Sequence, residues 1–329
     1  SDYKKINSNG NTILGEKLID NFLPSIEWLV SLGAPIENTI APLYRETDRY
    51  CFQMSPNSDY FAEFITKKFL EFGGEIILNA YIDQIESDSN HHVKSVKIID
   101  NYQTTSINCS ALILATGGFH NAPDLKKKNF GKWSDKLLVR GNLQSSGDGL
   151  KLASSIGAKQ SQSMDSFYGH LMPAPPAVIP RDRFSEFTMY HSEQCILIND
   201  SGNRFTDESI CDESNAEATI KQNNATSYMI FDETIYQKYG IKKSISGQPD
   251  SDPFKKSIEI QALTAKEDSL EKLLFNMSNW GVNKETALKS IISYNDYIVN
   301  KTKSSQGIPR EKNLNPILTP PYYAIALTT

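Results

Sequence analysis

A run of apolar residues that ends in two glycines is the first stretch whose residue types could do chemistry. In ALILATGGFH, residues 111–120, four apolar residues lead into Ala115, Thr116, Gly117 and Gly118. A short unbroken apolar run is typical of a strand buried on both faces. Paired glycines allow a sharp exit and let backbone N–H groups approach a ligand closely, as where a strand meets a nucleotide. A buried strand that simply ends in a turn would give the same pattern.

A second glycine motif follows at Gly147, Asp148 and Gly149, where the sequence predicts the start of a helix. The first N–H groups of a helix have no partner within it, so they favour anions. Asp148 could also cap those groups itself, which would make this an ordinary surface helix. With the glycine run upstream, a nucleotide site is the favoured interpretation.

The segment FYGHLMP, residues 167–173, places His170 beside two aromatic side chains. Such a histidine could orient an anion or shuttle a proton, and Tyr168 could act as a polar contact or an acid. The alternatives are a loop histidine hydrogen-bonded to backbone and a tyrosine that only packs. Arg183 and His191 are further candidates for the same pocket.

Arg204 and Glu208 lie four residues apart in the segment GNRFTDES, residues 202–209. Gly202 permits a hairpin there, and Phe205 is suited to packing. We expect the arginine and the glutamate to form a structural ion pair rather than a catalytic one.

The positions of apolar and turn residues predict the elements that must hold these groups. Proline and aromatic residues make 165–185 an irregular loop, and 199–202 a tight turn. Helices are predicted at 13–32, 58–72, 148–156, near 266–279 and at 284–300. Strands are predicted at 75–79 running into 80–86, and at 93–99, 103–115, 195–198 and 322–328.

Composition restricts the class of protein. The 329 residues include 39 acidic and 34 basic side chains, a net charge of −5, without a basic block that would indicate nucleic acid as a partner. No apolar run approaches the ~20 residues of a membrane helix. Four separated cysteines without a CxxC pair fit neither a disulfide framework nor a zinc site. We expect a cytoplasmic protein, or a periplasmic one if a signal peptide was removed, and the oligomeric state stays open.

The order of the motifs resembles the flavoprotein family of fumarate reductase and succinate dehydrogenase, including flavocytochrome-type and 3-ketosteroid dehydrogenase members. The segments that carry the resemblance run almost from end to end: IEWLVSLGAPIE, FLEFGGEIILNAYIDQI, ALILATGGF, GDGLKLASSIGA, ILINDSGNRFTDES, SYNDYI and PPYYAIALTT. The resemblance implies an α/β protein with α+β character in its cap. Its parts would be a partial Rossmann-like FAD-binding domain with an antiparallel excursion (1–156), an α+β substrate-capping domain (157–315) and a return strand to the FAD-binding domain (316–329).

The resemblance also implies roles for individual residues. Non-covalently bound FAD would lie against the backbone of Ile82 at its adenine. Positions near the flavin and its pyrophosphate are matched by the glycine segments, namely Ala115, Thr116, Gly117, Gly118, Gly147 and Asp148. After one inserted residue, His170 aligns with the family's histidine that holds a substrate carboxylate.

Two departures from the family pattern change what is expected. Fumarate reductases have a proton-donating arginine four residues after the glutamate that Glu208 matches, and Asp212 stands there instead. A carboxylate cannot replace a permanently charged guanidinium, so strict fumarate reduction is not expected. The family's N-terminal GxGxxG strand–helix and its C-terminal glycine-rich flavin segment are also missing. We therefore expect a fragment that binds FAD weakly or not at all by itself.

Together these features predict a piece of an FAD-dependent oxidoreductase. It would transfer a hydride to or from a carbon–carbon bond next to an electron-withdrawing group, in a small molecule of the carboxylate or enone class. One alternative is a catalytically degenerate binding or interaction module on the same fold. Another is a ketosteroid-type dehydrogenase, which the loop at 167–180 and the missing arginine favour.

Overall fold

Helices and antiparallel sheets alternate along the chain, in a computed structural model that describes residues 10–40, 50–161, 164–241, 251–301 and 307–329. The helices are α1 (Thr12–Ser31), α2 (Ser58–Glu71), α3 (Pro123–Phe130), α4 (Asp148–Ser155), α5 (Phe184–Phe187), α6 (Asp212–Thr219), α7 (Glu233–Ile235), α8 (Pro253–Glu259), α9 (Leu270–Ser278) and α10 (Lys284–Asn300). The strands are β1 (Ile36–Ile40), β2 (Tyr50–Met54), β3 (Ala80–Ser87), β4 (Val93–Asp100), β5 (Gln103–Asn108), β6 (Met172–Pro173), β7 (Ile196–Ile198), β8 (Ser227–Asp232), β9 (Thr264–Glu267) and β10 (Tyr322–Thr328). Every described strand pair is antiparallel.

The chain divides into two compact units. Unit 1 comprises Ser1–Gly118 and Gly147–Ser163, and unit 2 comprises Phe119–Ser146 and Met164–Thr329. These boundaries show which residues pack together and do not assign a function to either unit. The division into an FAD-binding domain, a capping domain and a return strand stays a prediction.

Unit 1 contains a three-stranded meander, β3–β4–β5, with helix α4 packed against it. Its small core consists of Ile85, Val96, Ile98 and Leu152, the last from the helix. The meander agrees with the predicted strands at 80–86 and 93–99 and with the antiparallel excursion. A break in register between Ile82 and Gln84 forms a bulge in β3.

The predicted strand at 103–115 is right only for its first part, β5, and the predicted strand at 75–79 is wrong. The described backbone at 75–79 and 111–115 has no strand pairing, and the Ile113 side chain is 89% exposed. An apolar strand buried on both faces needs neighbours that bond its N–H and C=O groups and cover its side chains. Among the described strands none pairs with residues 75–79 or 111–115, so most side chains of these two runs are exposed to solvent.

Helices α1 and α2 have the predicted bounds to within one or two residues. Asn11 caps α1 by accepting from the backbone N–H of Leu14, and Gly33, with φ of +87°, follows its end. Pro24 lies inside the helix. The apolar face predicted for burial is largely exposed, with Leu18 at 62%, because in the described residues little packs over it.

Unit 2 is organised around a five-stranded sheet. Strand β10 lies at its centre, pairing with β8 on one edge and with β9 and β6 on the other, while β7 pairs with β8. All six residues of β8 are buried, and helices α9 and α10 contribute Leu273, Met277 and Ile291 to the same core. The predicted helix near 266–279 begins only at α9, because Thr264–Glu267 pairs with β10 and Ser269 caps the helix behind it.

Within the described residues, no helix combines the length and the apolar character required to cross a membrane.

Candidate functional site

Helix α6 and the loop before β6 bring together side chains that are 42 residues apart in sequence. The Cys211 thiol accepts from the backbone N–H of Ser214 at the start of α6, so the helix begins at Asp212. Glu217, one turn further on, accepts from the backbone N–H of Phe167 at 3.0 Å and from the hydroxyl of Ser166. The helix therefore holds the loop that carries Tyr168 and His170.

His170 lies between Asp212 and Tyr168. Its Nδ1 is 2.5 Å from Asp212 Oδ2, and its Nε2 is 3.1 Å from the Tyr168 hydroxyl. The Tyr168 and Tyr190 rings each lie edge-on to the imidazole, with centroids 4.9 Å away. Asp212 is 1% exposed and His170 is buried, whereas Tyr168 is 76% exposed. A hydrogen-bonded path thus runs from a buried carboxylate to a phenol at the surface.

Burial changes the pKa of the carboxyl group at the inner end of this path. The pKa of Asp212 is raised to about 6: desolvation by burial raises it, the hydrogen bond and charge of His170 oppose this, and the neighbouring Glu213 adds a smaller upward effect. The carboxyl group shares a hydrogen bond with Nδ1 of the His170 ring, through which a proton can pass. When neutral, the ring accepts at Nε2 from Tyr168, and when protonated it donates there. The arrangement can hold a proton and deliver it outward.

The two further pocket candidates have other contacts. Arg183 donates to Glu186 at 2.7 and 2.6 Å, and this ion pair raises its pKa. His191 is buried with its ring edge-on to Phe231, and burial lowers its pKa to about 4. Among the described residues, neither side chain has a hydrogen bond to His170. Their proposed place in the pocket stays a prediction.

Glu208 is the centre of a buried ion network in unit 2. It accepts from Arg204 at 2.6 and 3.0 Å and from Arg310 at 3.4 Å, and the backbone N–H of Leu197 donates to it at 2.9 Å. The predicted structural pair of Arg204 and Glu208 is confirmed. No sequence pattern indicated Arg310, which lies in a segment without regular structure, 102 residues after Glu208. Both guanidinium groups also lie over the Tyr294 ring.

The glycine motifs of unit 1 are in contact with each other. The backbone N–H of Gly147 donates to the carbonyl of Gly118 at 3.2 Å. A Cβ added to Gly149 would lie 2.3 Å from the hydroxyl of Thr116, so the close approach requires glycine. Gly117 and Gly147 have φ of +75° and +77°, in the left-handed region. The two motifs therefore form one backbone cradle.

The remaining cofactor candidates lie around this cradle. Residues 115–118 are exposed, and Asp148 occupies the first turn of α4, where its charge is favourable to the helix dipole. Gly147 takes the capping position that the sequence suggested for Asp148. Ile82 is half-buried at the bulge of β3, the strand against which α4 packs. All these residues belong to unit 1.

His170, Asp212 and Glu213 also offer a set of metal-type donors. Their ligand atoms lie within 4.8 Å of one another. The imidazole nitrogen on that side already bonds Asp212, so we interpret the cluster as a proton site. The predicted absence of a metal stays a prediction.

Comparison with known proteins gives one consistent group. A family model described as an FAD binding domain matches residues 19–325. A probable fumarate reductase, Ifc3, of Shewanella frigidimarina is 23% identical over 317 residues, which is 95% of this chain and 49% of the relative. A vinyl phenol reductase of Lactiplantibacillus plantarum is 24% identical over 213 residues, 64% of this chain and 43% of the relative. The chain thus spans about half the length of the curated relatives it matches.

A solved structure shows the same fold. The 3-ketosteroid-Δ4-(5α)-dehydrogenase of Rhodococcus jostii RHA1, in complex with 4-androstene-3,17-dione, matches with a TM-score of 0.63 at 14% identity. The match covers 93% of this chain and 64% of that chain. At this identity the likeness concerns the fold.

Proposed function

The chain belongs to the family of FAD-binding domains, and from this premise we propose that the protein is an FAD-dependent oxidoreductase. It would transfer a hydride to or from a carbon–carbon bond next to an electron-withdrawing group in a small molecule. The observation that carries the proposal is the hydrogen-bonded path from Asp212 through His170 to Tyr168. Adding hydrogen across a double bond needs a proton as well as a hydride, and this path can supply the proton.

The residues of unit 1 fit the cofactor. The contact between the two glycine motifs, in which Gly149 leaves room for the Thr116 hydroxyl, and the exposure of residues 115–118 suit close approach to a pyrophosphate. The residues that would hold non-covalently bound FAD are Ile82, Ala115, Thr116, Gly117, Gly118, Gly147 and Asp148. When bound, the flavin supplies hydride transfer.

In this proposal, residues of unit 2 transfer the proton. In the reducing direction, Tyr168 gives its hydroxyl proton to the substrate carbon and regains one from Nε2 of protonated His170. Asp212 keeps the imidazole oriented and stabilises its charged form. In the oxidising direction each transfer runs in reverse. Tyr168 is the exposed end of the path, so it is the group assigned to touch substrate.

The resemblance to fumarate reductases is supported at the level of the family, and the Ifc3 relative has the name of such an enzyme. A ketosteroid-type dehydrogenase is the second candidate. It is favoured by the carboxylate of Asp212, which is paired with His170 at the position where the resemblance implies an arginine. Desaturation of a 3-ketosteroid with a dye as electron acceptor would favour this candidate over reduction of enoates.

The first test is whether the protein, purified at its full natural length, shows flavin absorbance or acquires it with added FAD. The second is reoxidation of a reduced viologen dye by enoates and enones. Tyr168→Phe and His170→Gln should each lower kcat about 100-fold, because they interrupt the proton path. His92→Gln, at an exposed histidine of unit 1, is the matched control. A colourless protein that cannot be reconstituted would refute the proposal and leave a degenerate binding module.

A further inference from the structure

One segment of unit 2 has a local excess of positive charge. Residues 123–140 contain six basic and two acidic side chains, whereas the whole chain has a net charge of −5 and gives no indication of this excess. The segment comprises α3 and the turn after it, and five of its basic side chains are exposed: Lys127, Lys128, Lys132, Lys136 and Arg140. Arg181, also exposed, donates to the carbonyl of Gly141 at 2.8 Å, next to Arg140. We call these six exposed side chains the basic surface.

The charges of the basic surface are largely unbalanced. Among the described residues, Lys136 is its one member within ion-pair distance of a carboxylate, 3.7 Å from that of its neighbour Asp135. Lys127 and Lys128 lie in the last turn of α3, where the helix dipole favours positive charge, but the dipole does not account for the other four. Like charges so close in sequence repel each other, so an acidic partner would stabilise the arrangement.

The segment that carries these charges is attached to the loop of the proposed proton path. The ring of Phe130, at the end of α3, has its centroid 5.3 Å from that of Phe167, the residue before Tyr168. The backbone N–H of Leu138 donates to the carbonyl of Thr329, in the same unit, at 2.9 Å. In sequence, the segment also joins the two glycine motifs that we assign to the cofactor. The basic surface is therefore a fixed part of the unit that carries Tyr168.

We infer that the basic surface docks an acidic protein that carries electrons to the cofactor. The inference rests on the proposed function, because saturating a carbon–carbon double bond consumes two electrons and two protons. Two molecules of a reduced one-electron carrier give up one electron each, and these electrons enter the double bond together with the two protons. Charge complementarity between carrier and basic surface raises the rate of encounter by about 10- to 1,000-fold at low salt.

The exposed side chains fit a protein better than a membrane surface. Those of α3 are a proline, an aspartate and two lysines, so the helix presents mainly charge to solvent rather than an apolar face that could enter lipid. Leu138 and Leu143 are 37% and 47% exposed and lie close in sequence to Arg140. Apolar side chains next to charged ones are typical of the centre and rim of a protein interface.

The test uses a reduced acidic ferredoxin as the probe and the full-length, FAD-loaded protein. The second-order rate constant of flavin reduction, measured by stopped flow, should fall about tenfold between about 20 mM and about 300 mM salt. Combining Lys127→Glu, Lys128→Glu and Lys132→Glu should lower it about tenfold at low salt. Reduction of the same variant by illuminated 5-deazariboflavin, a small uncharged reductant, should be unchanged.

The matched control makes the same change of net charge elsewhere in unit 2. Lys272→Glu, Lys284→Glu and Lys289→Glu, combined, reverse three exposed lysines outside the basic surface. This variant should react with the ferredoxin at the wild-type rate. Equal loss in the two triple variants would mean that only net charge matters, and it overturns the inference.

Further outcomes separate this inference from the proposed function. A ferredoxin rate that does not depend on salt overturns the docking, while turnover of enones with a reduced dye leaves the proposed function standing. If the protein holds no flavin, the proposed function fails, and calorimetric binding of oxidised ferredoxin to the wild type and to the two triple variants decides the docking alone. Patch-dependent binding to phosphatidylserine vesicles, or a patch-dependent dimer, without binding of ferredoxin assigns the basic surface to a membrane or to a second copy and overturns the inference.

Discussion

Glu208→Gln should strongly destabilise unit 2, because a single carboxylate neutralises two buried guanidinium groups. Arg204 is 2% exposed, and neither Glu208 nor Arg310 is exposed in its side chain. The amide keeps the volume of the carboxylate but carries no charge. The NH₂ group of the amide would also lie opposite one of the N–H donors from which the carboxylate now accepts a hydrogen bond. Both arginines would remain buried without their counter-charge.

The size of the effect follows from these contacts. Removing one partner from a buried ion pair costs about 3–5 kcal/mol, since the other charge is left uncompensated. Arg310 retains backbone acceptors at Cys195 (2.6 Å) and Lys312 (3.2 Å), whereas Arg204 loses its two shortest bonds. We expect a loss of about 4 kcal/mol in the free energy of unfolding, or about 10 °C in Tm for a unit of this size.

Glu186→Gln is the matched control. Glu186 accepts from Arg183 in the same two-point geometry, at 2.7 and 2.6 Å, but this pair is open to solvent. Its loss should therefore change stability little. Urea unfolding followed by tryptophan fluorescence, to which Trp280 of unit 2 contributes from its stack on Tyr228, measures both variants. Equal destabilisation by the two substitutions would show that burial does not decide the strength of these pairs.

Three other predictions follow from the same structure. Gly202→Ala should lower Tm far more than Gly281→Ala. Both glycines have a positive φ, but of the two only Gly202 would place an added Cβ against helix backbone, 2.5 Å from the nitrogen of Ala287; equal losses of Tm would mean that φ strain alone causes the effect. Gly149→Ala should weaken FAD binding, measured by quenching of flavin fluorescence, because the added Cβ would lie 2.3 Å from the Thr116 hydroxyl; unchanged binding would show that this contact does not matter for the cofactor. Burial raises the pKa of Asp212 from 3.8 to about 6, so the folded state holds the proton to higher pH than the unfolded state. The urea midpoint of the wild type should therefore fall relative to that of Asp212→Asn as pH rises from 4 to 6, and parallel profiles would contradict the shift.

Local patterns predicted the elements whose stability is local. The helices at 12–31 and 58–71 were predicted from apolar spacing and the glycines that follow them, and the structure adds an asparagine cap at the start of each and of the helix at 284–300. Strand β8 was not predicted, because six buried residues in SYMIFD have no alternation to identify. The predicted strand at 103–115 was extended past Asn108 because of the apolar run at 111–114, but a strand exists only where a neighbour bonds its backbone groups.

The candidate site was predicted in part. His170 and Tyr168 were identified from residue type and from the family resemblance. Asp212 was identified only as the residue that stands where the family has an arginine. Its contact with His170 was not predicted, because it depends on how α6 packs against a loop 42 residues earlier in the chain. Arg310 was not identified, because a lone arginine in irregular sequence has no pattern that distinguishes burial from exposure.

The central position of β10 has a consequence for synthesis on the ribosome. Its partners β8 and β9 are synthesised before it. Met229 of β8 pairs with Ile325 of β10, so this pair can form only after Ile325 has been translated. Until then β8 has an open edge of apolar sequence, the kind of surface that pairs with other chains. Unit 2 should therefore fold only after residues 322–328 leave the exit tunnel, and nascent chains arrested before that point should depend on chaperones to remain unaggregated.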